Sequence, residues 1–282
     1  MTTNAELKEQ QRRQWGGSAA SWDALHDNLE REMRPVTDWL CREARLAPGM
    51  RMIDFACGSG HPSLTAARLV SPGGSIVATD LAQEMVDVTA RRAKDAGLEN
   101  VEVRVMDLEA IDFPDESFDA ATCRFGVMFC PEPVKALREV RRVLRSGGRF
   151  AFSVWDEPEK SVVTSLGTRV LARVGKPQAA VDFNAPGVFQ LAPSGKLEAL
   201  LRDAGFNNVR IEPLPLIWHH DSFEDYWREF SQRSVPVRAF LQEASADQAA
   251  QLKTALAEEI EPYIRDGRVE LPAQPLCAVG EK

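Results

Sequence analysis

Two features of the chain could together hold a nucleoside. One is the stretch Asp54-Phe55-Ala56-Cys57-Gly58-Ser59-Gly60, the other an isolated carboxylate at Asp80. Glycines let a backbone without side chains pass close under a ligand. A carboxylate about 20 residues further on is suited to both hydroxyls of a ribose. Other chemistry-bearing residues are sparse. The four histidines, His26, His61, His219 and His220, lie on no metal-site spacing, and no metal is expected. A histidine near neutral pKa can take the proton of a hydroxyl as it attacks an electrophile. The adjacent pair His219-His220 is the first candidate for that catalytic role and His26 the second; a surface hinge is the alternative for the pair. His61 is expected to pack beside the ligand.

These residues need elements to place them. Gly49-Met50-Arg51-Met52-Ile53 reads as a short strand, and residues 61–69 carry apolar side chains at helical spacing, so the glycines sit in a strand-to-helix turn. A second strand, Ser75-Ile76-Val77-Ala78-Thr79, ends at Asp80 on the same edge of the sheet. From 49 to 155, strands alternate with helices of 10 to 15 residues, the pattern of a parallel sheet covered on both faces. A helix at 83–96 contains Met85, Val86, Val88 and Ala93, with Gly97 as its C-cap. In a helix at 133–145, Val134, Leu137, Val140 and Leu144 form a core stripe and the arginines a solvated face.

Upstream, a charged helix at 5–15 is broken by Gly16-Gly17, and an amphipathic helix follows around 34–46, with Val36, Trp39, Leu40 and Leu46 as core contacts. Downstream come a helix over 157–174, an irregular connector from 175 to 193 with prolines at 177, 186 and 193, and a helix ending at Gly205. A proline-interrupted strand over 209–218 belongs near a sheet edge. Residues 222–266 read as mostly helical, and 276–279 as a final strand.

A dinucleotide fold wants a third glycine and a free helix N-terminus for a pyrophosphate. Here that position is Ser63, and Pro62 removes a backbone donor. The ordered series that follows is more specific: VEVRVMDL at 101–108, FPDESFDAATCRF at 113–125, PVKALREVRRVLR at 133–145 and SGGRFAFSVW at 146–155. With the first motif, it closely resembles the class I S-adenosylmethionine-dependent methyltransferases, in particular the ubiquinone/menaquinone-biosynthesis-like small-molecule branch. The resemblance is specific from about 49 to 156 and looser towards the C-terminus; Ala56 stands where the family's first motif often has glycine.

The resemblance implies a Rossmann-like three-layer α/β sandwich with S-adenosyl-L-methionine as cofactor. Its seven-stranded, mostly parallel sheet ends in a C-terminal antiparallel hairpin, and N-terminal helices and a helical lid insertion are added to it. One domain would span 1–282: a helical cover (1–48), a cofactor-binding core (49–156), a connector, helix and sixth strand (157–218), a helical lid (219–272) and a final strand (273–282). Roles implied for matching positions are cofactor contacts. The backbone at Ala56, Gly58 and Gly60 would underlie the cofactor, and Asp54 would orient its ammonium through water. Asp80 would take the ribose hydroxyls, with Leu81 and Met85 on the adenine. Asp107 would accept from the adenine amino group beside the Leu108 backbone, and the main chain of Cys123 and Arg124 would border the methionine end. Trp15 and Trp22 read as a cover over the active site, and Phe125, Met128 and Phe129 as walls of an apolar substrate pocket; plain core packing is the alternative for both groups.

Composition agrees. A net charge of −8 disfavours nucleic acid as a partner. Five cysteines without a Cys-x-x-Cys pair suit a reducing compartment. No apolar run approaches the ~20 residues of a membrane span, and the polar N-terminus reads as no signal peptide. A cytoplasmic enzyme methylating a small-molecule acceptor at O, N or C is expected, with a homodimer left open. The alternatives are a nicotinamide-dependent oxidoreductase and a non-catalytic cofactor-binding protein of the same fold.

Overall fold

The computed structural model describes residues 3–176 and 180–282; Pro177 of the connector lies outside them. The strands that alternate with helices in the sequence form one sheet. β1 (Arg51–Phe55), β2 (Ser75–Asp80), β3 (Val101–Val105), β4 (Phe118–Arg124) and β5 (Leu144–Trp155) run parallel, and β10 (Pro275–Glu281) lies antiparallel between β5 and β6 (Asn207–Pro213). The order β3-β2-β1-β4-β5-β10-β6 is the expected seven-stranded sheet, with β6 at an edge. Four consecutive residues of β1 and six of β5 are buried, so both faces are covered. α4 (Ser63–Leu69) and α5 (Gln83–Asp95) pack on β2 and β3, α6 (Pro133–Val143) on β5, and α8 (Lys196–Asp203) on β6. The stripe Leu137, Val140 of α6 is in the core, as its spacing requires, and Gly97 takes a positive φ of 66° just past α5.

The chain leaves β1 towards β2 on one side and reaches β4 on the other, so the topology reverses between β1 and β4. In open α/β sheets, ligands bind at the carboxyl ends of strands at such a switch point. The glycine turn leaves β1 there.

Three expectations change. The amphipathic helix begins earlier than 34: α1 (Asn4–Gly16) and α2 (Ala19–Ala24) are followed by α3 (His26–Glu43), which carries Pro35 inside it. Burial of Leu29, Met33, Val36, Trp39 and Leu40 against β4, β5 and β10 outweighs the proline's lost hydrogen bond. The interrupted strand at 209–218 is two strands in two sheets, because Leu214 and Pro215 turn the chain out of the main sheet. The lid is not purely helical. After α7 (Val162–Arg173), it comprises α9 (Phe223–Arg233), α10 (Val235–Glu243) and α11 (Ala246–Ile260), and a small antiparallel sheet of β7 (Leu216–His220), β9 (Arg268–Ala273) and β8 (Ile264–Arg265).

Candidate cofactor site

The turn after β1 is pinned by two buried carboxylates. Asp54 accepts from the Ser63 amide at 3.1 Å and the Ser63 hydroxyl at 2.5 Å through Oδ2, and from the Thr122 hydroxyl at 2.6 Å through Oδ1. It therefore ties β1 to the start of α4 and to β4, and it occupies the helix N-terminus that a pyrophosphate would need. Burial pushes its pKa up to about 6 against the pull of those donors. The expected water-mediated hold on a cofactor ammonium finds Asp54 wholly buried and already held by three protein donors.

Asp80 faces the turn. Its Oδ2 accepts from the Gly58 amide and its Oδ1 from the Ala82 amide, both at 3.0 Å, and burial raises its pKa against these bonds. Gly58 has φ of 54°, and a Cβ there would meet no protein atom within 4 Å. The turn thus presents bare backbone to open space beside Asp80. Thr89 of α5 donates to the Gly58 carbonyl at 2.8 Å and holds the turn from below. Gly60, at φ 125°, has no room for a Cβ, which would lie 2.7 Å from Leu64 Cδ1. Ala56 also sits at positive φ, 52°, which accounts physically for glycine's frequency at this position.

Along the neighbouring strand ends, Met85 and Ala82 form a small buried cluster with Ala19, against which Trp15 and Trp22 pack. Trp15 meets Trp22 and Phe129 edge-on, with ring centroids 5.8 and 5.2 Å away. The cover residues and one proposed pocket wall are therefore in contact. α1 is fastened across this edge: Gln11 donates to the Phe129 carbonyl at 2.7 Å, Arg12 to the Leu81 carbonyl at 3.4 Å, and Lys8 Nζ lies 2.7 Å from both Asp107 Oδ2 and Glu109 Oε2. Asp107 also accepts from the Glu109 amide, and Leu108 packs on the core.

At the end of β4, the Cys123 side chain is core, and Met128 is too. Phe125, at φ 61°, stacks on Trp155 with centroids 4.4 Å apart. The Arg124 side chain turns to α3, donating through Nη1 to Glu30 Oε2 at 2.7 Å and to the Thr37 hydroxyl at 2.8 Å.

The histidines divide. His26 Nδ1 lies 3.1 Å from the Ser59 hydroxyl of the glycine turn, and its ring stacks on His61 at 5.1 Å. Burial lowers the His26 pKa to about 4 and that of His61 to about 2. His220 is buried in the lid against Tyr226, its Nδ1 3.5 Å from Asp225 and 3.9 Å from Glu229. The His219 side chain is 61% exposed, with Glu32 at 3.8 Å. The structure thus sets His26, second in the sequence ranking, at the glycine turn, while the favoured pair belongs to the lid. Lys8, Glu30, Thr89 and Glu109 lie outside the quoted motifs, and Thr122 lies within one with no role assigned to it; their roles arise from contacts across the sheet edge. Among the described residues, no group of three or more His, Cys, Asp or Glu side chains is gathered as a metal needs.

A methyltransferase-domain family model matches residues 53–152. Demethylmenaquinone methyltransferase from Staphylococcus aureus (strain JH9) is 26% identical over 222 residues, 75% of this chain and 90% of its own. Among solved structures, the YcgJ protein of Bacillus subtilis superposes with a TM-score of 0.58 at 22% identity, covering 88% of this chain and 98% of its own. The cyclase SpnF superposes with a TM-score of 0.55 at 22% identity, covering 88% and 80%. At these identities the two structures speak for the fold alone.

Proposed function

From the chain's membership of the class I S-adenosylmethionine-dependent methyltransferases, in their quinone-biosynthesis-like branch, we propose that it moves a methyl group onto an oxygen, nitrogen or carbon nucleophile of a small, partly apolar metabolite. The observation that carries this reading is the open, bare-backbone space at Gly58 beside the Asp80 carboxylate, on the sheet edge where the aromatic residues of α1 and α2 pack against Ala82 and Met85. S-adenosylmethionine fits these groups. Asp80 would take the ribose hydroxyls, Leu81 and Met85 the adenine faces, Asp107 and the Leu108 backbone the adenine edge. The main chain of Cys123 and Arg124 would border the methionine end. The cofactor supplies an electrophilic methyl group on a sulfonium sulfur.

The chain's part is alignment and exclusion of water. An in-line displacement gains about 7–11 kcal/mol from holding the reacting groups in a near-attack geometry. α1, tied down through Lys8, Gln11 and Arg12, closes the adenosine side, while Phe125 on Trp155 and Phe129 on Trp15 offer aromatic faces for the acceptor. His26 is the proton-accepting residue in this proposal. Its Nδ1 is oriented by Ser59, leaving Nε2 as the atom to accept a proton. A pKa near 4 keeps the ring neutral but makes it a weak base. That suits an acceptor needing little help: an amine, an activated carbon or an acidic hydroxyl.

The test is transfer of label from tritiated S-adenosylmethionine to a panel of such acceptors. Demethylmenaquinone, named for the Staphylococcus relative, belongs in the panel. A labelled product is expected. Tight cofactor binding with no label transferred to any acceptor would instead favour a cofactor-binding protein without turnover.

A further inference from the structure

We propose that the hydrogen bond from Arg238 to Ser18 is a latch through which cofactor binding closes the lid. This rests on the cofactor reading above and adds to it a coupling between two lightly packed parts of the molecule. One part is the cover. α1 buries no residue of its own, and α2 buries only Ala19, which clusters with Ala82 and Met85. α1 is tied to Asp107 by Lys8 and to the Leu81 carbonyl by Arg12. Leu81, Met85 and Asp107 are the residues that the cofactor reading gives to adenine, so a bound nucleoside would bear directly on α1 and α2. The other part is the outer lid. α10 buries a single side chain, Val237. α9 packs on β7 and β9, and around it Trp218 Nε1, His220 Nε2 and Tyr226 Oη are buried with no hydrogen-bond partner among the described residues. Unmet polar groups of this kind weaken the hold on α9.

Among the described residues, a single hydrogen bond joins α1 and α2 to α9, α10 and α11. Arg238 Nη2 donates to the Ser18 hydroxyl at 2.6 Å, and its Nη1 donates to the Gln232 carbonyl at 3.2 Å. Ser18 is wholly buried at the junction of α1 and α2. Its hydroxyl donates in turn to the Gln14 carbonyl of α1 at 2.7 Å, so the cover fixes the oxygen that Arg238 uses. The other arginines of α7 and α9 pair with carboxylates: Arg169 and Arg173 with Glu259, Arg228 with Asp225, and Arg233 with Glu229. Arg238 has no such partner among the described residues and spends its guanidinium on two neutral oxygens. Parting a buried ion pair strands a charge. Parting Arg238 from Ser18 frees only a hydroxyl, which suits a contact that opens and closes. α2 also packs on α9, so a cover set in place by adenine meets the lid at two helices. A lid that closes over a loaded site keeps water from the sulfonium.

The experiment is hydrogen–deuterium exchange of the full chain with and without saturating S-adenosylhomocysteine. Three segments are read: α1 and α2, α9 and α10, and β1 as a control for the fold. In wild type the ligand should slow exchange in α1 and α2 and also, about 5- to 150-fold, in α9 and α10, the ordinary range of a coupling between sites. In Arg238→Met and in Ser18→Ala, α1 and α2 should still be protected, while the effect on α9 and α10 falls to within about twofold. The double variant should match either single one, as two partners of one bond must. Ser18→Ala, the smaller change, carries the test should Arg238→Met fold poorly. Wild-type protection confined to α1 and α2 overturns the proposal, since nothing then crosses the bond. Protection of α9 and α10 that survives in the variants overturns it as well. If both single variants lose protection of β1 before ligand is added, the pair only supports the fold, and the proposal falls. A wild-type protein that does not bind S-adenosylhomocysteine removes the cofactor reading first and the proposal with it.

Discussion

Asp54 and Asp80 end adjacent strands and are both buried, yet their partners give them different work. Asp80 accepts from backbone amides beside open space, so Asp80→Ala should weaken S-adenosylmethionine by about 1.5–3 kcal/mol in a calorimetric titration. Asp54 accepts from Ser63 and Thr122, and Asp54→Ala orphans those donors at about 1–3 kcal/mol each; thermal unfolding should shift down markedly. Residue types and spacing announced the two acids. Their division of labour was not legible, because Thr122 reaches Asp54 from across the sheet.

The histidines give a pH prediction with a definite sign. His26 is neutral above about pH 4, so the acid limb of kcat/KM should be flat between pH 6 and 8, and an inflection near 6.5 would contradict the proton-accepting role. For stability, His26 and His61 have folded pKa values depressed to about 4 and about 2, so the unfolded chain binds more protons below its ordinary pKa near 6.5 and stability falls with pH. Asp54, raised to about 6, and Asp80, also raised, act the other way, while His220, lowered by burial, acts with His26 and His61, and the histidines' range opens first as pH falls from 7. The urea midpoint should fall from pH 7 to 5, and a His26→Gln, His61→Gln variant should flatten or reverse that slope.

At the scale of elements, α1 acts as a strap. It buries no residue of its own, and it holds the sheet edge by polar ties and by Trp15. The central tie is Lys8 to Glu109, a carboxylate only 1% exposed. Lys8→Met should therefore cost about 3–5 kcal/mol in a denaturation experiment, since it strands a buried charge, and adding Glu109→Gln should recover most of that loss. Equal stability of the two variants would mean that Glu109 is neutralised by other means. The sequence showed α1 through charge and helix propensity, broken by Gly16-Gly17. It gave no sign of where the helix docks, because its partners lie about 100 residues away in β-strand connections. α3 illustrates the opposite failure: the amphipathic pattern places its start around 34, while tertiary burial of Leu29 and Met33 extends the helix back to His26 through Pro35.

For the molecule as a whole, the alternation of strands and helices between 49 and 155 made the parallel sheet legible from periodicity, whereas the strand order and its switch point come from the structure. The lid was not. β9 does alternate, with Val269, Leu271 and Ala273 buried, but it is six residues long and contains Pro272, and its partner β8 has two residues. Such short strands are specified by the surface they cover and not by their own sequence. The candidate site follows the same division. In the proposed site the nucleoside half would stand on a local turn and was readable, whereas the acceptor half would be assembled from α1, the start of α3 and the segment after β4. The measurement that bears most directly on the cofactor site is a parallel calorimetric titration of the protein with S-adenosylmethionine and with a nicotinamide dinucleotide. Micromolar binding of the first and none of the second is expected; binding of the dinucleotide, or of neither ligand, would overturn the cofactor assignment.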